Sequence, residues 1–229
     1  CHLAGALIMI FATGFWMLFC GALVLSLGNG TVEAACNPLV VTLYPEQKTR
    51  KLNHFHVWFP GGIVIGGLLT YAMDKLHIGN WQWKIALIIV PAIIYGILML
   101  RETFPQTERV QKGITFTGMV KAAFLSPLFW ALFICMGITA SLELGPNRWV
   151  PAVLESGGMP GILVLVYITG LMAVLRQFAG PVIHKLSPVG VMLFSSILTG
   201  ASLYWMSSAE TLSIAFASAT FFAVGACYM

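Results

Sequence analysis

Charge is what this sequence has least of. Only 9% of its 229 residues are Asp, Glu, Lys or Arg, against roughly a quarter in soluble domains. That scarcity, with 59% hydrophobic residues and a mean hydropathy of +0.89, excludes an ordinary soluble domain and predicts an all-α, polytopic membrane protein. Basic blocks and stripes are also missing. The formal charge of +4 comes from residues spread at intervals between apolar runs, so no nucleic-acid partner is expected. The five cysteines (Cys1, Cys20, Cys36, Cys135 and Cys227) show neither CxxC nor Cys/His metal spacing. They read as small packing residues with no disulfide and no metal. A secretory signal is absent too, because Cys1-His2-Leu3 opens directly on apolar sequence without a basic stretch or a small-residue cleavage site. Phe216 to Met229 likewise lies inside an apolar run, and the expectation is an internal piece of a longer chain.

What is present is a series of apolar spans with polar punctuation. Cys1 to Thr13 reads as the tail of one span, followed by a turn at Gly14-Phe15 and a long span over Trp16–Leu43. At ~1.5 Å per residue this exceeds the ~30 Å hydrocarbon core, so it is tilted, kinked or protruding. A polar connector (Tyr44–Lys51) leads to Leu52–Met73, whose Gly61-Gly62 and Gly66-Gly67 pairs allow close helix contact. Then follow a turn over Asp74–Trp83, a span Lys84–Leu100, and the longest polar connector, Glu102–Lys121, which is the natural domain boundary. The second half repeats the rhythm with Ala122–Leu142, a polar extension Glu143–Trp149, Gly161–Ile183, Val189–Met206 and Leu212 onward.

With the 44–52 connector on the cytoplasmic side, nine basic residues fall there (Lys48, Arg50, Lys51, Arg101, Arg109, Lys112, Lys121, Arg176, Lys185) and three opposite (Lys75, Lys84, Arg148). The positive-inside rule therefore places the long connector in the cytoplasm.

The stretch Gly28-Asn29-Gly30-Thr31-Val32-Glu33-Ala34-Ala35-Cys36-Asn37-Pro38 sets a carboxylate and two amides inside the long apolar span. Burying an ionisable group at bilayer depth costs at least ~2.5–3.5 kcal/mol, so such groups usually face a water-filled path for substrate or ions. Glu33 and Asn37, at i and i+4, share a helical face. Gly28, Gly30 and Pro38 predict a helix bent or locally opened around the carboxylate. The alternative is a structural Glu bonded to a neighbouring helix.

Val32 to Val40, Leu43-Tyr44-Pro45, Lys51-Leu52-Asn53-His54-Phe55-His56, Phe104-Pro105 and Glu143-Leu144-Gly145-Pro146-Asn147-Arg148-Trp149 together resemble major facilitator superfamily transporters of the fucose/glucose-type sugar symporter branch. The resemblance covers nearly the whole chain. It implies a helical bundle in two halves, present in part. Residues 1–102 would be the remnant of the N-terminal half (end of helix 3, helices 4–6), 103–121 the central cytoplasmic connector, and 122–229 part of the C-terminal half (helices 7–10). In that family helices 1, 4, 7 and 10 line a cavity, and the halves rock to give alternating access. The family's acid on helix 4 matches Glu33. The amide that some members carry on helix 5 has no equivalent, since Phe59-Pro60-Gly61 occupies that turn.

The expected function is secondary active, proton-coupled symport of a monosaccharide across the cell (inner) membrane, with no cofactor. Glu33 is the candidate proton-coupling group, because desolvation raises a carboxyl pKa towards neutrality. Asn37, Glu143, Asn147 and Trp149 are candidate substrate-binding residues. Asn37 has donors and acceptors for sugar hydroxyls, Glu143 and Asn147 repeat the Glu-x-x-x-Asn spacing with Pro146 interrupting the helix, and Trp149 offers an aromatic face. Alternatively, Glu143 pairs with Arg148 in an outer interfacial loop and Trp149 is a membrane-belt anchor.

Asn53, His56 and Arg176 are candidate gating residues. His54 and His56 point to different helix faces and lack a third ligand, which argues against metal. They can instead be pH-sensitive groups, or, with Asn53, bond helix ends across the gate. Arg176, with Gly180, Pro181, His184 and Lys185, resembles the superfamily's helix 8–9 gating connector, or is a positive-inside anchor. Three rivals stand beside this reading. Sodium coupling needs only carboxylate and amide oxygens. A non-transporting sugar sensor would bind without flux. An intramembrane enzyme needs a nucleophile and base or a metal cluster, which His54-x-His56 alone does not supply.

Overall fold

The structure, a computed structural model, describes residues 1–177 and 187–227. Among these the chain is all-α: α1 (His2–Ile10), α2 (Phe15–Leu43), α3 (Lys48–Lys75), α4 (Trp81–Ala86), α5 (Ile89–Met99), α6 (Glu108–Gln111), α7 (Phe116–Leu125), α8 (Pro127–Ser156), α9 (Gly161–Gln177), α10 (Pro188–Ser207) and α11 (Leu212–Cys227). Among the described residues five stretches are long and apolar enough to cross a membrane: Phe15–Leu43, Arg50–Lys75, Trp81–Met99, Pro127–Ser156 and Val189–Ser207. Helices suit that role because each satisfies its own backbone hydrogen bonds where lipid offers none.

Local chemistry sets the boundaries. Ser126 caps α8 by accepting the Phe129 amide at 3.3 Å, and Pro127 follows at the first helical position, where its missing N–H costs nothing. The expected single span Ala122–Leu142 is therefore two helices, α7 ending at Leu125 and α8 running on to Ser156. Ser187 and Pro188 open α10 the same way, with the Gly190 amide 3.1 Å from Ser187 Oγ. The expected span Lys84–Leu100 is present as the apolar stretch Trp81–Met99, in which α4 and α5 meet at a loosened turn whose Leu87 and Ile88 keep right-handed helical angles. Pro91 has no N–H to give the Leu87 carbonyl, and the helix loosens at Leu87 and Ile88. The polar connector expected to reach Lys51 stops at Gln47, because α3 already begins at Lys48.

Two further expectations fail in the opposite direction. α2 is an unbroken helix through Gly28, Gly30, Glu33 and Pro38 rather than opened there, and α8 continues through both Pro146 and Pro151. One proline removes one backbone hydrogen bond. In α2, Thr42 Oγ1 donates to the Pro38 carbonyl at 2.8 Å, so polar side chains serve the backbone within the same helix.

The described residues pack as two compact units, Cys1–Lys48 with Ala72–Lys112, and Thr49–Tyr71 with Gly113–Met229. α3 contributes its middle to the second. In the first unit α1 lies against α2 through glycines. A Cβ on Gly5 would sit 2.6 Å from the Leu25 nitrogen, and one on Gly21 would sit 2.6 Å from Met9 Cγ.

In the second unit α11 is the central element. Ala215, Ala219, Phe222, Ala223 and Ala226 join Val164, Ile168 and Met172 of α9 in the core. α10 meets α11 through small polar residues, with Ser195, Thr199 and Ser202 all buried. A Cβ on Gly225 would lie 2.4 Å from Thr199 Oγ1. Small residues let helix backbones approach where lipid removes the hydrophobic drive.

These contacts predict that Gly5→Ala destabilises the intact protein by about 1–3 kcal/mol, since the atoms it meets are backbone and cannot turn aside. Gly30→Ala, with nothing within 4 Å of its Cβ, is expected to leave the thermal unfolding midpoint in detergent unchanged or higher. Equal midpoints for the two variants would show that the α1–α2 seam is not glycine-limited.

Candidate functional site

α2 carries two different sides. Gly21, Leu25 and Gly28 form the side against α1. Ser26, Gly30, Glu33 and Asn37, spaced four, three and four residues apart, run along another side more than about 120° round the helix. Glu33 is exposed and makes no hydrogen bond or ion pair with a described residue. Asn37, one turn on, is half-buried, and its Oδ1 is buried without a partner. Beside this line a shallow depression of about 340 Å³ is lined by Leu23, Ser26, Leu27, Gly30, Thr31 and Ala34.

The second Glu-x-x-x-Asn repeat lies in α8, and the turn after that helix determines what it meets. Gly158 takes φ +77°, which suits glycine. Its amide donates to the Glu155 carbonyl at 3.0 Å while the Met159 amide donates to that of Leu154 at 2.9 Å, a Schellman closure. The chain then reverses into α9, whose start at Gly161 lies so close to Pro151 that a Cβ there would sit 2.7 Å from its Cα. Counting back from Ser156 to Glu143 and forward from Gly161 to Arg176 gives about 20 and 22 Å along the two helices, so the residues arrive at one level. Arg176 Nη2 donates to Glu143 Oε1 at 2.8 Å, with only 18% and 19% of the two side chains exposed.

This finding rules against the alternative in which Glu143 pairs with Arg148 in an outer loop. Glu143 sits midway along a 30-residue helix and its partner is Arg176, while Arg148 is exposed. Arg176, proposed from sequence as a gating residue, is thereby tied to α8. Asn147 follows Glu143 by one turn, and both its Oδ1 and its Nδ2 are buried with no protein partner. Buried amides almost always find partners, and among the described residues the Asn of each repeat has at least one amide atom without one. Trp149 is 71% exposed.

On α3, Asn53 and His56 are half-buried. The imidazole that crosses to another helix is that of His54, whose Nδ1 lies 3.4 Å from Gln177 Oε1 of α9. Below it Gly67 admits the Val166 side chain. Gly180, Pro181, His184 and Lys185 of the expected gating connector lie outside the described residues. Among the described residues no group of three His, Cys, Asp or Glu side chains is placed to hold a metal ion.

Sequence reasoning missed His2 and Tyr95, and named Asn29 without a partner. His2 Nδ1 is 2.6 Å from Tyr95 Oη and its Nε2 is 2.8 Å from Asn29 Oδ1, which joins α1, α5 and α2. Nothing local in the sequence pairs residues 93 apart. The one available cue was Gly28, where a Cβ would lie 2.7 Å from His2 Cδ2.

Compared with known proteins, the chain matches the family model described as Major Facilitator Superfamily over residues 3–229. Among curated proteins it is similar to three from Arabidopsis thaliana. Sugar transport protein 1 is 34% identical over 105 residues, 44% of this chain and 20% of that protein. Probable inositol transporter 3 is 30% identical over 111 residues, 47% and 18% respectively. Sugar transport protein 12 is 32% identical over 105 residues, 44% and 20%. The matched segment thus spans about one fifth of the length of these relatives. No solved structure matches.

The ion pair yields a double-mutant prediction. Arg176→Met alone strands a carboxylate and is expected to cost on the order of 2–4 kcal/mol in detergent unfolding of the intact protein. Glu143→Leu combined with Arg176→Met removes both charges and should recover most of that loss. A double variant as unstable as the single one would mean that packing of the arginine stem, not charge compensation, holds the two helices.

Proposed function

Because the chain belongs to the Major Facilitator Superfamily, we propose that it is part of a secondary active transporter that moves a monosaccharide or related polyol across the cell (inner) membrane by alternating access, driven by protons. The observation that carries this reading is Glu33, a carboxylate without a partner among the described residues, in the middle of a 29-residue apolar helix. It lies on a side of α2 turned from α1, with an unsatisfied amide one turn away. The substrate class is supported by the printed names of the similar proteins, two sugar transport proteins and a probable inositol transporter. The resemblance of Val32–Val40 and Glu143–Trp149 to the fucose/glucose-type symporter branch supports it as well. In this reading residues 1–102 belong to the N-terminal half, 103–121 to the cytoplasmic connector and 122–229 to the C-terminal half.

Roles follow from chemistry. Glu33 takes up the coupling proton, as the ionisable side chain on this side of the apolar helix α2. Asn37 and Asn147 bond substrate hydroxyls, since Asn37 Oδ1 and both amide atoms of Asn147 are buried without a partner among the described residues. Trp149 gives a ring face for the sugar. Glu143 keeps a substrate-facing role through its second oxygen, while Oε1 is held by Arg176. Asn53, His56 and Arg176 act at the gate, joined there by His54 through its bond to Gln177.

The test is transport by the intact protein in energised vesicles, with a panel of hexoses, deoxyhexoses and inositol. External alkalinisation on adding one of these is expected. Glu33→Gln should abolish accumulation against a gradient while leaving counterflow exchange. Accumulation that persists in the mutant would sink the assignment, and uptake that follows a sodium gradient would replace the coupling ion. Asn147→Ala is expected to raise KM roughly three- to tenfold, the loss of one or two hydrogen bonds, with little change in maximal rate.

A further inference from the structure

α7 is too short for the work its neighbours do. Its ten residues extend about 15 Å, half of the ~30 Å hydrocarbon core. Its pattern is nevertheless not that of a helix surrounded by water. Phe116, Met119, Val120, Ala123 and Phe124 recur at i, i+3, i+4, i+7 and i+8, which gathers them within about 140° of the circumference. Thr117 and Lys121 lie on the remaining arc. Leu125, the last residue, falls outside the stripe and adjoins the turn into α8. The protein leaves much of the stripe open: Phe116 is 65% exposed, Met119 40% and Phe124 56%, while Val120 and Ala123 are half-buried.

The junction with α8 shows what covers this stripe. Ser126 is extended, with φ −86° and ψ 118°, so the chain changes direction between α7 and the foot of the 30-residue apolar span Pro127–Ser156. The Phe124 carbonyl lies in the last turn of α7, where no amide four residues on belongs to the same helix. Trp130 Nε1 of α8 donates to it at 2.9 Å. Around that bond the Phe124 ring meets Trp130 edge-on at 5.5 Å and Phe129 at 5.8 Å, and Trp130 meets Phe133 at 5.8 Å. The stripe of α7 therefore continues through Phe124 into the exposed apolar surface of α8, where Leu128, Trp130 and Phe133 stand open. On its other side α7 follows the polar connector. The helix is thus bracketed by a segment suited to water and a span suited to hydrocarbon, at the level where aromatic residues flank membrane spans.

We propose that α7 is an interfacial helix that lies in the plane of the membrane at the foot of α8, with Phe116, Met119 and Phe124 set into the boundary between lipid headgroups and acyl chains. Lys121, on the arc away from the stripe, faces the headgroup phosphates, whose charge complements its own. The partner of this surface is lipid. A helix held by such a boundary resists both withdrawal into water and sinking into hydrocarbon, so it sets the depth at which α8 begins. The inference requires α8 to cross a membrane and is independent of the substrate and the coupling ion.

The test uses the intact protein in nanodiscs of phosphatidylcholine and phosphatidylglycerol, with the photo-crosslinking residue p-benzoylphenylalanine placed in turn at Phe116, Met119, Thr117 and Lys121. All four positions are exposed in the protein, so exposure alone gives equal yields. Lipid adducts, read by mass spectrometry, are expected roughly three- to tenfold more often from Phe116 and Met119 than from Thr117 and Lys121. Equal lipid yields from the two sides, or adducts from Phe116 and Met119 to protein instead of lipid, overturn the proposal. Amide hydrogen exchange in the same nanodiscs supplies a second reading. A ten-residue helix is marginal in water, so protection across α7 is expected to fall about tenfold or more when Phe116→Asp and Met119→Asp are combined, with α8 still protected. Exchange of α7 unchanged in that double variant overturns the proposal as well.

Discussion

The ion pair between Glu143 and Arg176 fixes the register of the α8–α9 hairpin, and the second unit is arranged around that register. A charge left alone at this depth is costly, whereas a paired one is tolerable. Sliding either helix by one turn would separate the two side chains by about 5.4 Å along the axis. The pair therefore penalises every register except the one that also closes the Gly157-Gly158 turn. With that register held, Val164, Ile168 and Met172 of α9 meet the small residues of α11, and Asn147 is held one turn above the pair with its amide unfilled. Polar residues here specify position more than they add stability.

The first unit follows another logic, with one helix serving two purposes. Glycines on one side of α2 let α1 approach until backbones touch, which frees the other side to present Glu33 and Asn37. Asn29 of α2 is tied to α1 through the His2 ring. Tight packing and an open polar line can coexist on one helix only if they are separated around its circumference, and the three-and-four spacing does this.

Much of the fold was legible because hydropathy reports lipid exposure directly: α2 and α10 begin and end within a residue or two of their apolar runs, and α11 begins at Leu212. The break at Ser126-Pro127 and the loosened turn at Leu87-Ile88 were written in the sequence as a cap and as a missing donor, yet the apolar runs on either side concealed them. Pro38 and Pro146 misled in the opposite sense, since a missing N–H permits a break without compelling one when lipid offers no other partner for the backbone. At the candidate site, the shared face of Glu33 and Asn37 needed only helical periodicity. The partner of Glu143 needed the length of a hairpin measured from its turn, and Arg148, five residues away, was the nearer but wrong cation. His2 and Tyr95 could not be paired from sequence, because their meeting depends on three helices at once.

The hairpin of α8 and α9 is fastened in two places, at a glycine turn at its tip and at a charge pair about 20 Å down its length. A strut fixed at two separated points cannot shear. Any force applied to α9 must turn α8 with it, so the unfilled amide of Asn147 moves as a point on a lever arm rather than as a residue on an independent helix.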